Sequence, residues 1–291
     1  MKSIGVDIGG TKIAVGLVDN DRILQKYILP NTFFADPGSM IRTISEYIDK
    51  LHQQSNSIIE GIGVGCPGWV VDGIVYDAVN LGIQKFHLVE ELTNYCGIKT
   101  LADNDARTAL LCELKYGALQ NSTNGAMITF GTGVGGALMF NHQLYRGSFG
   151  CAGEIGHLTL NGIDGTCPCG KIGCFEQASS VHALIALARQ YGFDIEDGLA
   201  VCELAESGDR TAQTVLDHYT DSAARGVIEL VMLLDLDTVA VGGGISRQWN
   251  RFTYPLQEKV NRYLPKCSVV PAEFTNDAGI IGAAVLCDEE V

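Results

Sequence analysis

At 291 residues the chain is long enough for two medium domains and a substantial core. Its 46% apolar and 19% charged content is that of a folded globular protein, which excludes a disordered one. A formal charge of −14 argues against a nucleic-acid or anionic-membrane partner, because nothing would neutralise the phosphates.

The N-terminus, Met1-Lys2-Ser3-Ile4-Gly5-Val6-Asp7, carries no long apolar region, so no secretory signal is expected. The longest apolar stretch, near residues 227–236, is interrupted by Glu229 and Asp235 and is too short to span a bilayer. Together with dispersed thiols this predicts a reducing, cytoplasmic compartment.

In chain order, residues 4–8 read as a buried strand that breaks at Gly9-Gly10-Thr11-Lys12 and resumes over 13–18. Asp19-Asn20-Asp21 then turns it into a third strand over 23–29. The glycine turn exposes backbone N–H groups beside a Thr hydroxyl and Lys12, an arrangement that suits phosphate as well as a plain turn. Asp7, just before it, could orient Mg²⁺ through water. Apolar positions at Met40, Ile41, Ile44, Tyr47, Ile48 and Leu51 follow a 3.6 period and predict a helix. A strand over 58–64 follows, ending in Gly65-Cys66-Pro67-Gly68-Trp69.

Leu101-Ala102-Asp103-Asn104-Asp105-Ala106 reads as a short strand leading into a helix that includes Ala109, Leu110 and Leu114. One aspartate is expected to cap the helix, Asp103 by position. Asp105 could accept a proton from a substrate hydroxyl attacking a γ-phosphate; the exchange of these two roles is the competing reading.

The opening grammar then recurs: a strand over 126–130, Gly131-Thr132-Gly133-Val134-Gly135-Gly136, a strand over 137–140, Asn141-His142, and a strand over 143–145. Two such units about 120 residues apart suggest a duplicated core whose glycine turns face each other across a cleft and grip one nucleotide. Helices are predicted over 181–191, capped by Ser179 or Ser180, and from Ala212 to Leu234. A strand over 238–241 precedes Gly242-Gly243-Gly244-Ile245-Ser246, and Pro255 opens a further helix.

Between these stand Glu154-Ile155-Gly156-His157 and Cys167-Pro168-Cys169-Gly170-Lys171-Ile172-Gly173-Cys174-Phe175-Glu176. Three cysteines and a histidine supply the four ligands of a tetrahedral, closed, structural Zn²⁺ site, whereas Cys66, Cys96, Cys112, Cys151, Cys202, Cys267 and Cys287 read as core thiols. The alternative is that all ten are ordinary buried thiols. With His157, Cys167, Cys169 and Cys174 as ligands, Glu154 and Glu176 are left for other work.

Together, Asp7-Ile8-Gly9-Gly10-Thr11-Lys12, Asn104-Asp105-Ala106, the second glycine turn, the Glu154 tetrapeptide and the cysteine segment resemble the ROK family of sugar kinases and repressors, across essentially the whole chain. The resemblance implies an α/β, actin-like/hexokinase-like ATPase fold, with two domains of related βββαβα topology flanking a cleft. The first domain is expected at 1–116 plus 276–291, with phosphate turn 1 and the catalytic aspartate. The second, at 117–275, would hold phosphate turn 2, the zinc loop and the nucleotide site.

The implied activity is ATP-dependent phosphorylation of a hexose at its 6-hydroxyl, foremost as a glucokinase. Kinases of N-acetylmannosamine, N-acetylglucosamine or a β-glucoside share nearly all these motifs; a sugar-responsive regulator would need a helix-turn-helix domain ahead of the first strand. By the same resemblance Asp105 is the catalytic base, and Gly68, Asn104, Asp105, Glu154, His157 and Glu176 hold the sugar. Asp7, Gly9, Gly10, Thr11, Lys12, Gly131, Thr132, Gly133, Gly243 and Gly244 serve the nucleotide. ATP with Mg²⁺ and a structural Zn²⁺ are the implied co-substrate and metals, and a homodimer the implied assembly.

Overall fold

The structure, a computed structural model, describes residues 2–55 and 58–288. In chain order the strands and helices are β1 (Lys2–Ile8), β2 (Lys12–Asp19), β3 (Arg22–Pro30), α1 (Pro37–Ser55), β4 (Ile62–Cys66), β5 (Trp69–Val71), β6 (Ile74–Ala78), β7 (Ile83–Phe86), α2 (Leu88–Cys96), β8 (Thr100–Asn104) and α3 (Asp105–Tyr116). Then come β9 (Asn124–Phe130), β10 (Val134–Phe140), β11 (Gln143–Tyr145), α4 (Glu176–Ser179), α5 (Val181–Gln190), α6 (Gly198–Glu206) and α7 (Arg210–Leu234). The last are β12 (Thr238–Gly242), α8 (Tyr254–Asn261), β13 (Ser268–Pro271) and α9 (Ala278–Val285). Among the described residues no helix is long and apolar enough to cross a membrane.

The chain divides into two compact units, Met1–Gly117 with Arg146–Ala152 and Asn276–Val291, and Ala118–Tyr145 with Gly153–Thr275. Each is built on a five-stranded sheet with one strand order, β3-β2-β1-β4-β8 in the first and β11-β10-β9-β12-β13 in the second. In both, an antiparallel meander is followed by two parallel strands reached through helices, the recurrence expected from the repeated motif. Arg146–Ala152 belongs to the first unit although its sequence lies inside the second. It is fastened there by Arg107, whose Nη2 donates to the Gly150 and Ala152 carbonyls at 2.7 and 3.0 Å.

In the first unit the sheet is buried by α1 and α9. Met40, Ile41, Ile44, Ile48 and Leu51 of α1 are fully buried, whereas α9 approaches β1 and β4 closely because those strands carry glycines where it crosses. A Cβ on Gly5 would stand 1.9 Å from the Ile280 carbonyl, and one on Gly63 would stand 1.7 Å from that of Ala283. Gly282 allows the same closeness to α3, since its Cβ would meet the Thr108 carbonyl at 1.7 Å. Thus α9 packs against both the sheet and α3, which itself meets β4 where Thr108 stands against Gly65, and so helps to place the helix that begins at Asp105.

The second unit is centred on α7. Its N-cap, Asp209, accepts from the Ala212 N–H at 2.9 Å, and the helix ends where Asp235 turns left-handed at φ 52°. Val215, Tyr219, Ala223 and Val227 are fully buried on one face, which follows the helical period of the apolar residues. Tyr219 hands its hydroxyl hydrogen to the Ser179 carbonyl at 2.7 Å, so the buried phenol is satisfied.

Two elements differ from the sequence reading. The strand expected over 58–64 starts at Ile62, where parallel pairing with β1 and β8 begins. Ile58 is 87% exposed, so its apolar character does not mark a buried strand position. Second, the helix cap is neither aspartate: Asn104 Oδ1 accepts from the Ala106 and Arg107 N–H groups. Ser180 is the cap of α5, accepting from the Ala183 N–H.

Candidate active site and metal centre

Register places the chemistry of the first unit at one end of its sheet. Asp7 of β1 lies opposite Gly65 of β4, and Cys66 of β4 opposite Asn104 of β8, so the C-terminal ends of three parallel strands converge. Ligand sites of open α/β sheets form at such ends. The first glycine turn closes there, with the Gly9 N–H donating to the Lys12 carbonyl at 2.9 Å. Asn31, which sequence reasoning missed, holds the turn from outside: its Nδ2 donates to the Gly9 carbonyl at 2.7 Å. Neither Gly9 nor Gly10 has positive φ. A Cβ on Gly10 would meet nothing nearer than the Asn80 Cβ at 3.5 Å, an ordinary contact, so the fold itself does not require glycine there.

Two carboxyl groups at this end are perturbed. Burial, reinforced by the charge of Asp105 and opposed by Lys12, pushes Asp7 up to about 6. Burial also raises Asp105 above the usual carboxylate range, against the lowering effect of the Ala106 N–H that donates to its Oδ1 at 2.8 Å. The start of α9 closes over Asp7 and leaves no room for a side chain at Gly279, where a Cβ would lie 2.7–3.0 Å from the carboxylate.

Asp103 is occupied differently. It is 2% exposed; Oδ1 accepts from the Asn104 N–H and Arg107 Nη1, and Oδ2 accepts from Arg146 Nε at 2.7 Å. Three donors, two of them arginines, take up most of the about four acceptor sites of this buried carboxylate. The candidate base is therefore Asp105, with Asn104 beside it; Asn104 Nδ2 donates to the Gly68 carbonyl at 3.1 Å, which joins Gly68 to the same cluster.

In the second unit the Gly131 N–H donates to the Gly133 carbonyl, and the Val181 N–H of α5 to the Gly131 carbonyl. Gly243, with φ 90°, stands against the end of β9, where a Cβ would be 2.2 Å from the Phe130 carbonyl. The second glycine turn and Gly243-Gly244 thus share the C-terminal edge of β9 and β12. Glu176 enters this turn too: its Oε2 accepts from the Val134 N–H at 2.9 Å, in space that a Cβ on Gly133 would invade at 2.3 Å.

His157, Cys167, Cys169 and Cys174 place one ligand atom each within 4.8 Å of one another. His157 Nδ1 lies 3.6 Å from Cys167 Sγ, and Cys169 Sγ 3.6 Å from Cys174 Sγ. Tetrahedral Zn²⁺ bonds of about 2.0–2.3 Å separate neighbouring ligands by about 3.3–3.8 Å, so the donor set and its spacing fit the ion. The loop can wrap this tightly because Gly170 and Gly173 adopt φ 87° and 83°. With Nδ1 among the sulfurs, His157 turns Nε2 towards Glu154, 3.9 Å from its Oε2. Of the remaining cysteines Cys66, Cys112, Cys202 and Cys267 are buried; Cys96, Cys151 and Cys287 are only partly so.

Paired sheets of one strand order, each ending in a glycine turn at the C-terminal edge of its parallel strands, define the actin-like, hexokinase-like class of ATPase fold. The ROK family model matches residues 3–290, and the chain belongs to that family. A glucokinase of Halalkalibacterium halodurans is 32% identical over 99% of this chain and 95% of its own length. An N-acetylmannosamine kinase of Salmonella arizonae is 29% identical over 98% of both. The crystal structure of a ROK family glucokinase from Streptomyces griseus in complex with glucose and AMPPNP matches with a TM-score of 0.85 at 31% identity, covering 98% of this chain and 99% of that one.

Proposed function

We propose that this chain is an ATP-dependent sugar kinase whose acceptor is the 6-hydroxyl of glucose. The observation that carries the reading is Asp105: a partly buried carboxyl with a raised pKa, at the start of α3 and at the C-terminal strand edge, while Asp103 is consumed by two arginines. A hexose hydroxyl is a poor nucleophile at neutral pH. Asp105 takes its proton as the hydroxyl oxygen bonds to the γ-phosphorus of ATP and the bond from that phosphorus to the β-phosphate oxygen breaks, releasing ADP; Asn104 orients the same hydroxyl.

Glu154, His157 and Glu176 accept or donate at the ring hydroxyls, and Gly68 contributes backbone. Gly9, Gly10, Thr11, Lys12, Gly131, Thr132 and Gly133 cradle phosphates, with Gly243 and Gly244 near the nucleotide. Mg²⁺ bound with ATP offsets charge on the phosphates, and Asp7 is the group that would orient it. Zn²⁺ on His157, Cys167, Cys169 and Cys174 would hold the loop from Glu154 to Glu176 in shape; its chemistry there is structural. A cytoplasmic location, where ATP is supplied, and a homodimer complete the reading; light scattering tests the latter.

Glucose is preferred because the glucokinase relatives are the more similar, and N-acetylmannosamine is the second reading because its kinases match over the same span. ADP release measured across glucose, mannose, fructose, N-acetylmannosamine, N-acetylglucosamine and a β-glucoside tests both. The highest kcat/KM is expected on glucose. A higher value on an N-acetylated sugar overturns that choice, and no turnover on any acceptor overturns the kinase.

A further inference from the structure

Arg107 is an anomaly. It is 2% exposed, and it sits in the first turn of α3, where the helix dipole disfavours a cation. Burying a guanidinium is costly unless its N–H groups find acceptors, and here three of the five are directed to specific ones. Nη1 donates to Asp103 Oδ1 at 3.1 Å; Nη2 donates to the carbonyls of Gly150 and Ala152 at 2.7 and 3.0 Å. Arg146 closes the far side through its Nε on Asp103 Oδ2.

The acceptors define what is being held. Asp103 immediately precedes Asn104 and also receives the Asn104 N–H, so the carboxylate fixes the strand end from which Asn104 and Asp105 project. The loop from Arg146 to Ala152 is pinned at its start by Arg146 and at its end by Arg107, and it turns on Gly147 and Gly150 at φ 74° and 72°. Beyond Ala152 the chain continues directly into Gly153 and Glu154.

We propose that Arg107 is a positioning residue for sugar phosphorylation: through Asp103 and the Gly150 and Ala152 carbonyls it locks the Asn104-Asp105 helix start to the loop that leads into Glu154. The inference rests on the kinase reading above, and in particular on Asp105 as base. A lysine cannot replace it, because one ammonium has no planar fork to serve a carboxylate and two carbonyls at once. Arg146, whose side chain is 44% exposed, can be changed with less risk to folding and releases only the outer end of the loop.

The test is steady-state kinetics of the full chain with glucose and ATP for wild type, Arg107→Lys and Arg146→Gln, each below its own unfolding temperature. Misplacing a reacting group by about 1 Å costs about 10²-fold, so Arg107→Lys should lose about that factor in kcat/KM for glucose with the KM for ATP within about twofold. Arg146→Gln should move the same way by a smaller factor. Wild-type kinetics in both variants, whatever their melting temperatures, overturn the proposal and leave the kinase standing. An equal rise in both KM values also overturns it, because that marks general loosening. A wild type inactive on every acceptor fails the functional reading itself, and the proposal falls with it.

Discussion

At the scale of single residues, two aspartates two positions apart are distinguished by their partners. Asp105→Asn keeps the shape and removes the basic oxygen, so kcat should fall by roughly 10²–10⁴-fold with ATP affinity retained. Asp103→Asn removes a charge that two arginines face and the link that holds the Asn104 N–H, so it should lower the melting temperature and cost less kcat than Asp105→Asn does. Full activity in Asp105→Asn would remove the mechanism. Because burial raises Asp105, the acidic limb of the kcat/KM profile should lie above the usual carboxylate range. Asp7 gives a separate test, of stability. Its folded value of about 6 exceeds the ordinary 3.8, so the folded chain binds more protons than the unfolded one between these values. Stability therefore falls as pH rises through that window, and the cost is fully present above it. Each pH unit across the window is worth about 1.36 kcal/mol, so Asp7→Asn should gain on wild type by at most about 3 kcal/mol above pH ~6 and lose the gain near pH ~4. Denaturant titrations at about pH 4 and pH 8 check the sign, and an advantage confined to acid would refute the burial argument.

At the scale of elements, the repeated glycine turns and the cysteine loop were legible because they are local. Spacing alone brought four ligands together, and the structure places them 3.6 Å apart in pairs. Cys169→Ser should therefore lower bound zinc, read by elemental analysis of dialysed protein, and weaken sugar affinity with it through Glu176. Zinc-free protein with undiminished activity would sink that link. What the sequence concealed depends on partners far along the chain. Arg107 carries no local signal of its role: besides Asp103, four residues back, its acceptors are two carbonyls more than forty residues away. The β5-β6-β7 hairpin sheet was missed although Asp72-Gly73, both at positive φ, is a two-residue hairpin signal. Gly133 changes the expectation for its turn. Since a Cβ there meets Glu176, Gly133→Val should raise the KM for both ATP and sugar, whereas Gly10→Val should raise that for ATP alone. An equal response of the two variants would mean that Glu176 does not serve the sugar.

At the scale of the whole molecule, one strand order is used twice, and each unit has its own buried cluster. Their stabilising devices differ in kind. The first unit depends on α9 lying against α3 and the sheet at backbone contact, through Gly5, Gly63 and Gly282. The second contains the four-ligand loop, where bound Zn²⁺ would add its binding free energy to the folded state. A chain with two cores need not unfold in one step. Calorimetry should resolve two transitions. Gly282→Ala forces α9 away from the Thr108 carbonyl; overpacking of this kind costs about 1–3 kcal/mol, and at roughly 4 °C per kcal/mol the first unit's transition should drop by about 4–12 °C. A strong chelator, or Cys169→Ser, should lower the other transition and leave this one in place. Applied together, the two changes should add, because they act on separate cores. A single transition lowered by either treatment would show instead that the duplicated halves fold as one cooperative body.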